Sequence, residues 1–137
     1  MKEPILRLNL GAEVFTSELC SIAELSNSAA DPAVSIARAR VAVGITTRWH
    51  RLKDTVERYV ILEGRGRVEV GDFPAQEVSV GDVVLIAPMC RQRITNLDEK
   101  DLIFLAICTP RFRPENYEEL EAPYSAKSAP PNHDLSD

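Results

Sequence analysis

Apolar and polar residues alternate along most of this chain, and the alternation predicts short strands rather than helices. Ile5 to Leu10 (ILRLNL) reads as a strand ending at Gly11. Glu18 to Leu25 fits either a helical turn, through Leu19, Ile22 and Ala23, or a strand with Cys20, Ile22 and Glu24 on one face. Strand is preferred, because Asn27 to Pro32 then makes a turn before the next one. From Ser35 to Val43, Ile36, Arg38, Arg40 and Ala42 share one face, and Ala37, Ala39, Val41 and Val43 the other.

The apolar run Tyr59 to Leu62 ends at Gly64, and Arg67 to Val70 is a strand closed by the hairpin signal Gly71-Asp72. Further strands are expected at Gln76 to Val80, Val83 to Ile86, Arg93 to Asn96 and Asp101 to Cys108. The last of these is apolar on both faces, as a strand buried between layers is. Many short strands with Gly-rich turns indicate an antiparallel sandwich or barrel. Beyond Cys108, prolines punctuate the chain. Glu115 to Leu120 is expected to form one or two helical turns, and Ser125 to Asp137, almost without apolar residues, a disordered tail.

Composition adds bounds. A length of 137 residues suits one domain, and 45% hydrophobic with 27% charged residues suits a soluble one. A net charge of -5 opposes a nucleic-acid surface. No run reaches the ~20 apolar residues of a membrane span. The opening MKEPILRLNL does not look like a secretory signal. Cys20, Cys90 and Cys108, without a CxxC, fit a reducing cytoplasm.

Two stretches carry the candidate chemistry. From Gly44, five residues lead to His50, four more separate Leu52 from Glu57, and six separate Glu57 from Gly64. The second stretch runs from Gly81-Asp82 to Asn96 and holds Ala87, Met89 and Gln92. The first resembles the first motif of the cupin superfamily, with Leu52 where the second histidine belongs. The second resembles the second motif, with Ala87 in place of proline, Met89 of glycine and Gln92 of histidine. The resemblance implies an all-β, double-stranded β-helix barrel: a single domain over residues 1–120 with core motifs at 44–96, a short C-terminal helical turn and a flexible tail at 121–137.

In that family the motif histidines and glutamate converge on one metal. Carried over by position, the set here is His50, Glu57 and Gln92. No cofactor is firm: a divalent Fe, Mn, Ni or Zn ion is expected to bind weakly or not at all, because a hydrocarbon and a neutral amide replace two imidazoles. The other histidine, His133, lies in the tail. His50, Glu57 and Tyr59 are the candidate catalytic residues, weighed against structural roles in lining and filling the barrel. Gln92, Arg38 and Arg40 are the candidate ligand-binding residues, the arginines as a match for carboxylate or phosphate. Their alternative is a solvated strand face. Arg58 is expected to point outward, Trp49 to pack outside its sheet, Arg91 and Arg93 to lie outside or at the rim, and Asn96 to tie a turn.

The expected function is binding of a small polar or anionic metabolite, with sugar or sugar-phosphate isomerase or epimerase activity preferred if the protein is an enzyme. The Glu57-Arg58-Tyr59 segment loosely resembles one in cupin-type phosphoglucose isomerases. The alternatives are a metal-dependent enzyme of oxygenase type and a non-catalytic sensing barrel. The partners expected are a small molecule and a second copy in a homodimer, without nucleic acid or membrane.

Overall fold

The computed structural model describes residues 4–121. The strands in chain order are β1 (Val14–Phe15), β2 (Ser21–Ser26), β3 (Ser35–Val41), β4 (His50–Leu52), β5 (Val56–Glu63) and β6 (Arg65–Val70). They continue with β7 (Gln76–Ser79), β8 (Val83–Ile86), β9 (Gln92–Asn96), β10 (Leu102–Thr109) and β11 (Tyr117–Glu119). Six of them form one sheet in the order β1-β2-β3-β10-β5-β8, and the other five form a second in the order β11-β4-β9-β6-β7. All pairings are antiparallel. This is the two-sheet arrangement of a double-stranded β-helix.

Alternation decides which side chains meet between the sheets. β5 turns Glu57, Tyr59 and Ile61 inward, and β10 sets Cys108, Ala106 and Phe104 opposite them in register. β3 adds Ser35, Ala37 and Ala39 beside the same three residues. At one end Val41, Ile61, Ile94 and Leu102 fill the barrel completely. At the other, Ala37, Ala39 and Ala106 are too short to meet the facing sheet, and a cavity of about 620 Å³ remains.

Two turns show how the motifs hold the backbone. Gly64 has φ 88°, and an added Cβ would stand 3.1 Å from the Asp101 carbonyl, so glycine is required there. Met89 also lies in the left-handed region, at φ 67°. The second stretch thus holds a glycine-like backbone at a methionine, at a cost of about 1–2 kcal/mol. The Met89 amide compensates in part by donating to the Leu52 carbonyl at 2.8 Å.

Two predicted elements differ. Residues 5–10 form no strand: the segment ends in a 3-10 turn at Leu10–Ala12, with Ile5, Leu6, Leu8 and Leu10 exposed. Alternation alone makes no strand where no neighbouring edge accepts its hydrogen bonds. Between Glu115 and Leu120 the only helical turn is the end of the 3-10 turn Pro114–Asn116, and β11 follows it. The chain is extended there because Tyr117, Glu118 and Glu119 pair with Leu52, Arg51 and His50 of β4. His133 and the tail expected at 121–137 fall outside the described residues, Glu121 excepted.

Candidate functional site

The wide end of the barrel brings together most of the residues singled out by the motifs. His50 comes from β4, Glu57 and Tyr59 from β5, and all three line the cavity. Gln92 stands opposite His50 in the β4–β9 register and is fully buried behind that lining. Its amide nitrogen donates to Glu57 Oε1 at 2.7 Å, while its oxygen accepts from the Tyr59 hydroxyl. One glutamine therefore bridges a carboxylate and a phenol, using both ends of its amide.

Glu57 is buried among these groups. Burial raises its pKa to about 7, with a smaller upward push from Glu18, against the opposing effects of His50 and the Gln92 hydrogen bond. Tyr59, equally enclosed, is held protonated by burial and by the neighbouring Glu57. Cys108, on the same wall, has its thiol pushed up to about 12 by burial and by Glu57, and burial raises Cys20 further. Both cysteines are thiols rather than thiolates at neutral pH, which suits packing and not nucleophilic attack.

His50 is 3% exposed. Its Nδ1 lies 3.0 Å from the Arg48 carbonyl, which can only accept, so Nδ1 carries the proton and Nε2 is left for other partners. Nε2 faces Glu18 Oε2 at 3.8 Å, and the ring stacks on Tyr117 with centroids 5.4 Å apart.

Glu18 and Tyr117 were not found from the sequence. Glu18 lies on the connection into β2, where Leu19 adopts φ 75°, a conformation unfavourable for a branched residue. The Thr16 amide donates to the Cys20 carbonyl at 2.8 Å and pins this turn, so that both Glu18 and Cys20 line the cavity. Tyr117 arrives on β11, more than fifty positions beyond the first motif. Its hydroxyl is buried without a hydrogen-bond partner. Neither residue belongs to a recognisable spacing.

Arg38 and Arg40 lie elsewhere. β3 turns its alanines inward, so the guanidiniums occupy the outer face, where Arg40 grips Glu13 through Nε at 3.1 Å and Nη2 at 2.7 Å. Arg40 also reaches Asp101 at 3.2 Å, and Arg38 reaches Glu13 at 3.5 Å. Arg58 points outward to the Thr109 hydroxyl. Arg91 and Arg93 lie over the Trp49 ring at 5.3 and 4.4 Å from its centroid. Asn96 ties the turn that follows it by donating to the Val41 and Lys100 carbonyls.

The residues present do not fit the metal centre of the family. Leu52 puts a hydrocarbon at one donor position, and Gln92 has committed both ends of its amide to Glu57 and Tyr59. His50 and Glu57 remain, fewer than the three protein donors of an ordinary catalytic site. Among the described residues no cluster of three or more His, Cys, Asp or Glu side chains is arranged to hold a metal.

The barrel of two facing sheets, with the two motif remnants within it, defines the class by its fold, which is that of cupin domains. It is 37% identical over 87 residues to the uncharacterized protein MJ1618 of Methanocaldococcus jannaschii, covering 64% of this chain and 69% of that one. The cupin domain of Schizosaccharomyces pombe Cnp3 superposes with a TM-score of 0.61 at 14% identity, over 66% of this chain and 64% of that one. Pac13, a nucleoside dehydratase from Streptomyces, superposes with a TM-score of 0.69 at 14% identity, over 90% of this chain and 97% of that one. At these identities the superpositions establish the fold alone. No family model matches the chain.

Proposed function

We propose that the barrel binds a small metabolite and moves a proton on it, in the manner of an isomerase or epimerase, with Glu57 and His50 as the acid-base pair. The observation that carries this reading is the Glu57 carboxyl group: enclosed, braced by Gln92, and with a pKa of about 7 in the same cavity as His50. A carboxyl group whose pKa is raised toward neutrality is matched to general acid-base work. Tyr59 helps to position Glu57 through their shared glutamine. Pac13 offers a parallel on the same fold, since removing water from a nucleoside also requires proton movement.

The lining opposes a sugar phosphate or other anionic compound. Lysine and arginine are absent from the described lining, while Glu18, Glu24 and Glu57 are present. The test is incubation in deuterated water with reducing sugars, their phosphates, small ketones and uridine, followed by NMR. The expected result is deuterium at a carbon beside a carbonyl, slowed about 100-fold or more by Glu57→Gln. Binding without exchange would instead favour a barrel that senses its ligand without turning it over.

The same reading includes a cytoplasmic homodimer. A reducing compartment suits the three free thiols, and no helix among the described residues is long and apolar enough to cross a membrane. Exposed Ile5, Leu6, Val14 and Phe15 give a second copy an apolar face beside the sheet edge at β1. Sedimentation as a monomer at about tens of micromolar would remove the dimer.

A further inference from the structure

We infer that the molecule taken by this cavity carries a protonated nitrogen at one end and an apolar body behind it. The inference rests on reading the cavity as a small-molecule site and adds the ligand's charge and shape.

Three observations lead to it. The charged side chains that line the cavity are all acidic: Glu18 and Glu57 beside His50, and Glu24 farther along β2. The arginines on the neighbouring strands are committed elsewhere, Arg40 to Glu13 and Asp101, Arg48 to Glu119, Arg51 to Glu118 and Arg58 to Thr109. An anion entering this end would meet carboxylates without compensation, whereas a cation would gain charge-assisted hydrogen bonds.

The second observation is the unpartnered hydroxyl of Tyr117, buried in the same lining. A hydroxyl that can accept as well as donate, beside the carboxyl groups of Glu18 and Glu57, can take one N–H of a ligand that brings several. Glu18 supplies oxygens as well: its carboxylate touches His50 only at 3.8 Å and accepts a weak bond from the Cys20 thiol at 3.4 Å, so it has lone pairs to spare.

The third is the rest of the wall. Ile22, Ile36, Ala37, Ala39 and Ala106 offer no polar side chain, and Phe104 is tilted against Tyr59 with centroids 4.4 Å apart. A polyhydroxylated ligand would leave its hydroxyl groups unsatisfied against these residues. A hydrocarbon body would not, and the rings of Tyr59, Phe104 and Tyr117 attract a cation lying against their faces.

The test uses three probes of one shape: cyclohexylamine, cyclohexanol and cyclohexanecarboxylate, titrated into the full-length protein at neutral pH and followed by calorimetry. The amine is expected to bind about tenfold tighter than the alcohol, a ratio corresponding to one charge-assisted hydrogen bond. The carboxylate is expected to bind weakest. Glu18→Gln should erase the preference for the amine, and an unchanged far-UV circular dichroism spectrum and urea midpoint show that the variant folds. A carboxylate binding as tightly as the amine, a preference that survives Glu18→Gln, or no binding of any probe would each overturn the inference. Amine preference without deuterium exchange in any substrate would retain this inference and remove proton transfer, so the two readings fail separately.

Discussion

Two networks built from similar side chains lie on opposite faces of the same sheet. Outside, Glu13, Arg38, Arg40 and Asp101 form an ion-pair cluster with Arg40 one-third exposed. Inside, Glu57 has no arginine and is held by the neutral amide of Gln92, which Tyr59 holds in turn. Glu13 and Arg38 are partly buried, and Arg40 and Asp101 are open enough to water that the mutual pairing keeps the cluster ionised while screening limits its net stability. The Arg40 guanidinium hydrogen bond and charge hold the Glu13 carboxyl below its ordinary pKa, whereas burial pushes Glu57 the other way. A carboxylate used for stability is paired with charge in water, and one suited to proton transfer is braced by a neutral group away from it.

This contrast can be broken most forcefully at Gln92. Gln92→Leu keeps the volume roughly constant but strips both Glu57 and Tyr59 of a buried partner. Urea unfolding near neutral pH is expected to show a loss of about 4 kcal/mol. A loss below about 1 kcal/mol would mean that water or repacking replaces the amide.

The pH dependence of stability sharpens it next. Glu57 has a folded pKa of about 7 against an ordinary value of 4.5, so between these values the folded state binds more protons than the unfolded one. Stability from this group is therefore fully present below pH 4.5, falls as pH rises, and is lost above about 7, on the order of 3 kcal/mol in all. Glu57→Gln should flatten that slope in urea titrations across the same window. An unchanged slope would assign it to another group. Arg40→Ala, measured alongside, should cost less than about 1 kcal/mol, and less still in high salt.

Much of this arrangement was legible in the sequence, for definite reasons. The motif spacing located His50, Glu57 and Gln92, because those positions fix strand register as well as chemistry. The inward pair Glu57 and Tyr59 followed from the two-residue period of a strand. Alternation at Ser35 to Val43 separated two faces but could not say which one looks inward. The alanine face does, because a cavity needs short side chains, and Arg38 and Arg40 are thereby placed outside. Glu18 and Tyr117 were hidden because a left-handed turn at Leu19 and the edge strand β11 deliver them, and tertiary contacts specify both. Residues 5–10 erred the other way, having the rhythm of a strand without a neighbour to pair with.

The register that sets His50 against Gln92 has a consequence for descent. A glutamine codon becomes a histidine codon by one change at its third base, and two of the six leucine codons do so by one change at the second. The genetic distance from this barrel to the donor set its motifs resemble is therefore a single base at Gln92 and one to a few at Leu52. The structural distance is longer. An imidazole at position 92 would have to replace the amide that joins Glu57 to Tyr59, so a lineage taking the first step would lose its brace before it gained an ion. The glutamine thus separates this barrel from a histidine-bearing donor set by a loss of stability that the codon table does not reveal.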